Sequence, residues 1–226
     1  MRTRFHQGLD ELKDKLLRMA GMAEQAVDRA IESYRQHDAA LCEQVFQTEA
    51  AINASEREID ELALDLLAMQ QPMAVDLRFI LAVIKINADL ERVGDQAVNI
   101  AERTRELMSL PVADLPLDLP LMASMASGMI RKAIEAFIHA DAELAQSVLT
   151  MDDKVDSMNR EIAEAMMAQM NHSPQHTRQA LDALLIARNL ERVADRVTNI
   201  CERTVFIASG ELKEFKSEPP AVNWRR

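Results

Sequence analysis

Apolar residues along this chain recur at alternating spacings of three and four. Between residues 5 and 36, Leu9, Leu12, Leu16, Met19, Ala23, Ala26 and Ala30 form one seam, the spacing of a helix packed against other helices. Residues 39–70 continue it through Leu41, Val45, Ile52, Ile59 and Leu66, with Asp38 placed to cap the helix start. Thr48 and Ser55 interrupt that seam, and bonds back to their own helix account for them. Gln71-Pro72 stops the run, and a third helix is predicted over 75–109. Its seam is Val83, Ile86, Leu90, Val93, Ala97 and Ile100. Pro111, Pro116 and Pro120 then mark a linker.

The pattern begins again after the linker. Val45, Ile52 and Ile59 map onto Val148, Val155 and Ile162 by adding 103, while Arg78 and Leu81 map onto Arg178 and Leu181 by adding 100. Helices are therefore predicted over 119–140, 142–171 and 174–208. The strongest agreement is between Leu90–Thr104 and Leu190–Thr204, identical at ten of fifteen positions. A period near 100 residues is a duplicated domain, not a solenoid repeat. The fold class is all-α: two tandem antiparallel three-helix bundles. The boundaries expected are 1–110 for the first bundle, 111–120 for the linker, 121–209 for the second bundle and 210–226 for a loosely held tail.

On a helical wheel at about 100° per residue, Glu91, Asp95, Asn99 and Glu102 fall within about 80° of one another. Glu191, Asp195, Asn199 and Glu202 repeat the stripe. The second helix carries another acidic stripe at Glu49, Asn53, Glu56 and Asp60, which becomes Asp152, Asp156 and Asn159 in the second half. Stacked carboxylates at i and i+4 repel by a few tenths of a kcal/mol per pair, and no Lys dilutes them here. Arg92 and Arg103 flank the stripe and recur as Arg192 and Arg203. A heptad assignment puts these acids on the outermost face, where a solvated surface is the ordinary explanation. Packing explains the shared Leu, Val and Ile but not the shared polar set. The alternative is an oxygen-ligand metal site. Such ligands suit Mg, Mn, Ca or Fe(III); no His or Cys lies in the stripes to favour Zn.

Composition narrows the choice. The formal net charge of the 226 residues is −11, which argues against nucleic acid or an anionic membrane as the main partner. Cys42 and Cys201 read as small core residues, in keeping with a reducing cytosol. No stretch reaches the length of a transmembrane helix, and the N-terminus lacks an apolar signal core. A soluble, cytoplasmic protein is expected. His6, His37, His139, His172 and His176 form no ligand spacing. Gly94 is alone in mid-helix and marks close packing, its counterpart being Ala194. No nucleophile is evident.

QPMAVDLRFI at Gln71–Ile80, followed by DLERVGDQAVNIAER at Asp89–Arg103, resembles the signature of the PhoU family, as does FHQGLDELKDKLLRMA near the N-terminus. The resemblance covers nearly the whole chain. It implies two PhoU domains and metal ions bound through paired acidic motifs. Glu91 with Asp95 and Glu191 with Asp195 match one motif. Asp152 with Asp156 matches its partner, which in the first half is Glu49 with Asn53, one charge poorer. The second copy lacks the QPxAxDLR pattern, so any role of Asp76 is confined to the first half. The ions implied are divalent or trivalent: Mg, Mn, Fe or Zn.

The function implied is negative regulation of the phosphate-starvation response. It would couple the ATPase subunit of a phosphate ABC transporter to a sensor histidine kinase, as a homodimer and without catalysis. Two other classes compete: a carboxylate-bridged helical-bundle metalloenzyme and a ligand-free helical scaffold. The first uses Glu-x-x-His motifs facing the bundle core, and the stripes contain none.

Overall fold

The computed structural model describes residues 2–209 apart from 71, 112, 114 and 116. Six α-helices account for most of them: α1 (Arg2–Gln36), α2 (Ala39–Gln70), α3 (Ala74–Leu107), α4 (Leu119–His139), α5 (Ala142–His172) and α6 (Thr177–Ser209). The expected helices are all present. Three ends differ by more than one residue. α1 starts at Arg2 rather than at residue 5. A 3-10 turn at Pro174–His176 precedes α6, so the helix starts three residues later than predicted, after the proline. α3 stops at Leu107, where the Ser109 amide reaches back to the Glu106 carbonyl at 3.1 Å and tightens the last turn. The tail expected over 210–226 lies outside the described residues.

The turns joining α1 to α2 and α4 to α5 are built alike. His37 and Ala140 each take a left-handed backbone, with φ of 52° and 49°, reversing the chain after the helix. An aspartate follows each. Asp38 Oδ1 accepts from the Ala40 amide at 2.8 Å, and Asp141 Oδ1 from the Leu144 amide at 2.9 Å. These caps satisfy donors that a helix start leaves free.

α1, α2 and α3 pack mutually, as do α4, α5 and α6. The predicted seams are buried: Leu12, Leu16 and Met19 on α1, Val45, Ile52 and Ile59 on α2, and Val83, Ile86, Leu90 and Val93 on α3 have no exposed surface. Gly94 is indeed a contact point. A Cβ there would meet Ile52 Cδ1 at 3.0 Å. In the second half Ala194 stands for Gly94 and Val155 for Ile52, a methyl gained on one helix as one is lost on the other. Thr48 donates to the Gln44 carbonyl at 2.8 Å, as its place in the seam suggested.

The two bundles also pack against each other, α3 on α6 and α1 on α4. Both pairs run antiparallel: Asp89 approaches Asn199 while Arg103 approaches Asp182, and Lys13 reaches the Ile138 carbonyl while Asp28 accepts from Ser127. Each of these helices thus lies beside its own copy, the arrangement of an internal two-fold. The buried apolar residues of both halves form one continuous core, and Leu110 with Leu115 and Leu117 of the linker packs onto it. Among the described residues no helix is long and apolar enough to cross a membrane.

Candidate metal centre

α5 runs beside α6, which brings the Asp152–Asp156 stripe to the Glu191–Asp195 stripe. Burial pushes the Asp152 carboxyl up to about 7, reinforced by Asp156, Asp195, Asp153 and Glu191. Burial also raises Asp156, with Asp195 the next cause, and raises Glu191, again with Asp195 next. A neutral-pH carboxyl gathering negative neighbours is the signature of acids crowded into one partly dry groove. Arg188 Nη1 donates to Glu191 Oε1 at 2.5 Å and supplies the nearest compensation.

The first half repeats the arrangement with different residues. Glu91 is raised by burial and by Asp95, Glu56 and Glu49, while Arg92 opposes the shift. Glu56 is raised by burial, then by Asp60, with Asp95 also contributing. Asn53, in the place of Asp156, donates its amide to Glu49 Oε1. Asn87 Nδ2 donates to Asp60 Oδ1 at 3.0 Å. Sequence reasoning noted Glu56 and Asp60 on the α2 stripe without assigning them to the site; the structure draws Glu56 in. Asp153 joins the second group in the same way. It lies one residue off the stripe, so a wheel alone leaves it out.

The stripe is not on the outermost face. The Glu191 side chain is only 12% exposed, and Glu91, Asp95, Asp152, Asp156 and Asp195 are all half-buried. They line the groove between two helices, a position that a heptad assignment counts as surface because it considers one helix at a time.

The far end of the stripe goes elsewhere. Asn199 Nδ2 donates to Asp89 Oδ1 at 3.3 Å, across the contact between the halves. Glu202 is buried, while Glu102 is exposed. Asn99 and Asn199 are turned about 80° around the helix from Glu91 and Glu191, and α5 offers the buried Val148 and Ala145 farther along its length instead of acids. Arg103 also belongs to the contact between halves. It lies 3.9 Å from Asp182 and 3.3 Å from Glu106. Asn199 and Arg103 are therefore joints between the bundles.

The groove residues suit a hard cation. Asp152 Oδ1, Glu191 Oε2 and Asn53 Oδ1 are buried oxygens with no hydrogen-bond partner. Buried acceptors of this kind are costly unless something positive meets them. Among the described residues no three His, Cys, Asp or Glu side chains already converge as a ligand set. Like charges gain nothing by converging until a cation stands between them. Cys201, buried near Asp152 with its thiol pushed up to about 12 by burial, is not thiolate and is no ligand candidate.

The PhoU domain model matches residues 16–104 and again residues 119–204. The phosphate-specific transport system accessory protein PhoU homolog of Clostridium acetobutylicum is 33% identical over 208 residues, covering 92% of this chain and 95% of that one. The homolog from Pseudomonas aeruginosa is 32% identical over 209 residues, 91% of this chain and 86% of its own. The crystal structure of PhoU from Pseudomonas aeruginosa superposes with a TM-score of 0.87 at 32% identity, over 92% of this chain and all of that one. PhoU from Streptococcus pneumoniae gives 0.86 at 27% identity, over 93% of this chain and 99% of that one.

Proposed function

The chain belongs to the PhoU family, and we propose from that premise that it is an accessory regulator of phosphate transport that acts by binding. The observation carrying this reading is the match of both halves to the PhoU domain, together with relatives of nearly equal length named as phosphate-transport accessory proteins. In this reading the protein works at the cytoplasmic side as a homodimer. It couples the ATPase subunit of a phosphate ABC transporter to a sensor histidine kinase and lowers uptake when phosphate is plentiful. It has no catalytic residues.

Metal binding is the second part of the proposal. Asp152, Asp156, Glu191 and Asp195 would hold ions in the α5–α6 groove, and Glu49, Asn53, Glu56, Glu91 and Asp95 in the α2–α3 groove. The unpartnered buried oxygens support this assignment. An all-oxygen set suits Mg, Mn or Fe(III) better than Zn. A bound ion would supply the positive charge that lets these carboxylates ionise together.

The regulatory part is tested by deleting the gene: phosphate uptake and phosphate-responsive expression become derepressed, and the intact gene restores repression. Unchanged uptake and expression would refute it. The metal part is tested by elemental analysis of protein purified without chelator. Glu191→Ala with Asp195→Ala lowers bound metal, and an unchanged content refutes the assignment.

A further inference from the structure

Eight large apolar side chains are conspicuously exposed among the described residues, and five of them lie at the corner where α2 gives way to α3. These are Leu64, Met73, Val75, Leu77 and Leu81; Met73 is 79% exposed and Val75 64%. Leu64 continues the acidic stripe of α2 one turn past Asp60, and Leu77 and Leu81 lie on the side of α3 that carries Asp95. The α2–α3 groove thus changes from acidic to apolar as it nears the corner. An apolar cluster left in water with a polar rim is the mark of a contact surface.

The duplication supplies an internal comparison. In the second half Met167 and Leu181 stand for Leu64 and Leu81 and are also exposed, at 53% and 40%. The other three positions become Ser173, Gln175 and Thr177. The charges differ as well. Asp60, Glu61, Asp65 and Asp76 rim the first corner, and no Lys or Arg occurs from Glu58 to Leu77. Their counterparts are Ala163, Glu164, Ala168 and His176. The shared scaffold does not require either the extra apolar surface or the acids, since the second half folds without them.

We propose that the α2–α3 corner is a docking surface for a basic amphipathic helix of a partner protein. One apolar face of that helix would cover Leu64, Leu77 and Leu81, and its Lys and Arg flanks would meet Asp60, Glu61, Asp65 and Asp76. Charge disfavours the other occupants. A second copy offering the same corner would oppose acid to acid, and an anionic bilayer would be repelled. The inference goes beyond the regulatory reading and does not use the metal groups.

The test uses the full chain and a fluorescent synthetic peptide of leucine and lysine patterned with one apolar helical face. Wild type binds it, and salt weakens the binding. Leu77→Asp with Leu81→Asp weakens it on the order of tenfold or more. Met167→Asp with Leu181→Asp leaves it unchanged. Because the first variant alters apolar groups near the core, Glu61→Lys with Asp65→Lys, both exposed, provides an independent loss, with helicity checked by circular dichroism. The proposal is overturned if both corners contribute equally, if the charge variant binds as wild type does, or if a leucine–glutamate peptide binds as well. It is also overturned if the α2–α3 variant instead abolishes self-association or binding to phosphatidylglycerol vesicles, which would assign the corner to a second copy or to lipid. Metal content of these variants stays at the wild-type value, so failure here is separable from failure of the metal assignment.

Discussion

Among the acids of the two grooves, Asp152 is the one on which charge and burial act most strongly. Its ordinary value is 3.8 and its value in the fold is about 7. Below about pH 4 both folded and unfolded chains hold the proton, and the group is neutral in its effect. Between about 4 and 7 only the folded chain keeps it, so stability falls as pH rises through that window; above 7 the whole penalty applies. Asp152→Asn should therefore raise the urea midpoint of metal-free protein at pH 8 and not at pH 4. The gain should be on the order of 1 kcal/mol, because water screens much of the shift at a half-exposed group. With metal bound, the same substitution should lower the midpoint at pH 8. An equal effect at both pH values in metal-free protein would contradict the burial argument.

At the scale of elements, two features invite direct measurement. Ala140 holds a left-handed backbone that suits glycine, at a site exposed enough that no side-chain packing is lost. Ala140→Gly should stabilise the protein by up to about 1 kcal/mol, seen as a higher thermal midpoint. Gly94 against Ile52 is the opposite case. Gly94→Ala gains about 1 kcal/mol of helix propensity and loses a comparable amount by crowding Ile52. It should therefore change stability little alone, and adding Ile52→Val should make the pair more stable than Ile52→Val alone. That pair of changes converts the first half into the second at this contact. Most element boundaries were legible in the heptad spacing, the Asp38 cap and the proline breaks. The starts of α1 and α6 and the end of α3 were not, because how a terminal turn winds depends on bonds at or beyond the edge of the periodic run.

At the scale of the molecule, the joint between bundles matters most. Asp182 is buried at that joint and bonds Arg178 Nε at 3.0 Å, with Arg103 close by. Its first-half counterpart is Ala82, and Arg203 Nε, the counterpart group of Arg103, is buried without a partner. Asp182→Ala should lower the urea midpoint only slightly, because Arg103 and Arg178 are both solvent-exposed and both keep Glu106 as a partner. A fragment of residues 1–110 would expose the faces of α1 and α3 that α4 and α6 cover. Because those partners are copies, the fragment should form a dimer in sedimentation, each α3 taking the place of α6 for the other. A folded monomer would contradict a joint core.

Periodicity alone determined the all-α class, the six helices, the duplication and the seam facing each bundle's interior, because those follow from spacing along one helix. It also marked the repeated stripe at Glu191 and Asp195, a shared polar set with no packing explanation, while the pairing with Asp152 and Asp156 came from the family resemblance. Tertiary structure decided what lies opposite each position. Only the antiparallel register of α5 on α6 separates Asp195, which meets carboxylates, from Asn199, which meets Asp89 across the joint. Only the packing of α3 on α6 turns Asp182 into an interior group facing Arg103. A wheel records the angle around one axis, while burial and partner identity depend on the neighbouring axis and on height along it.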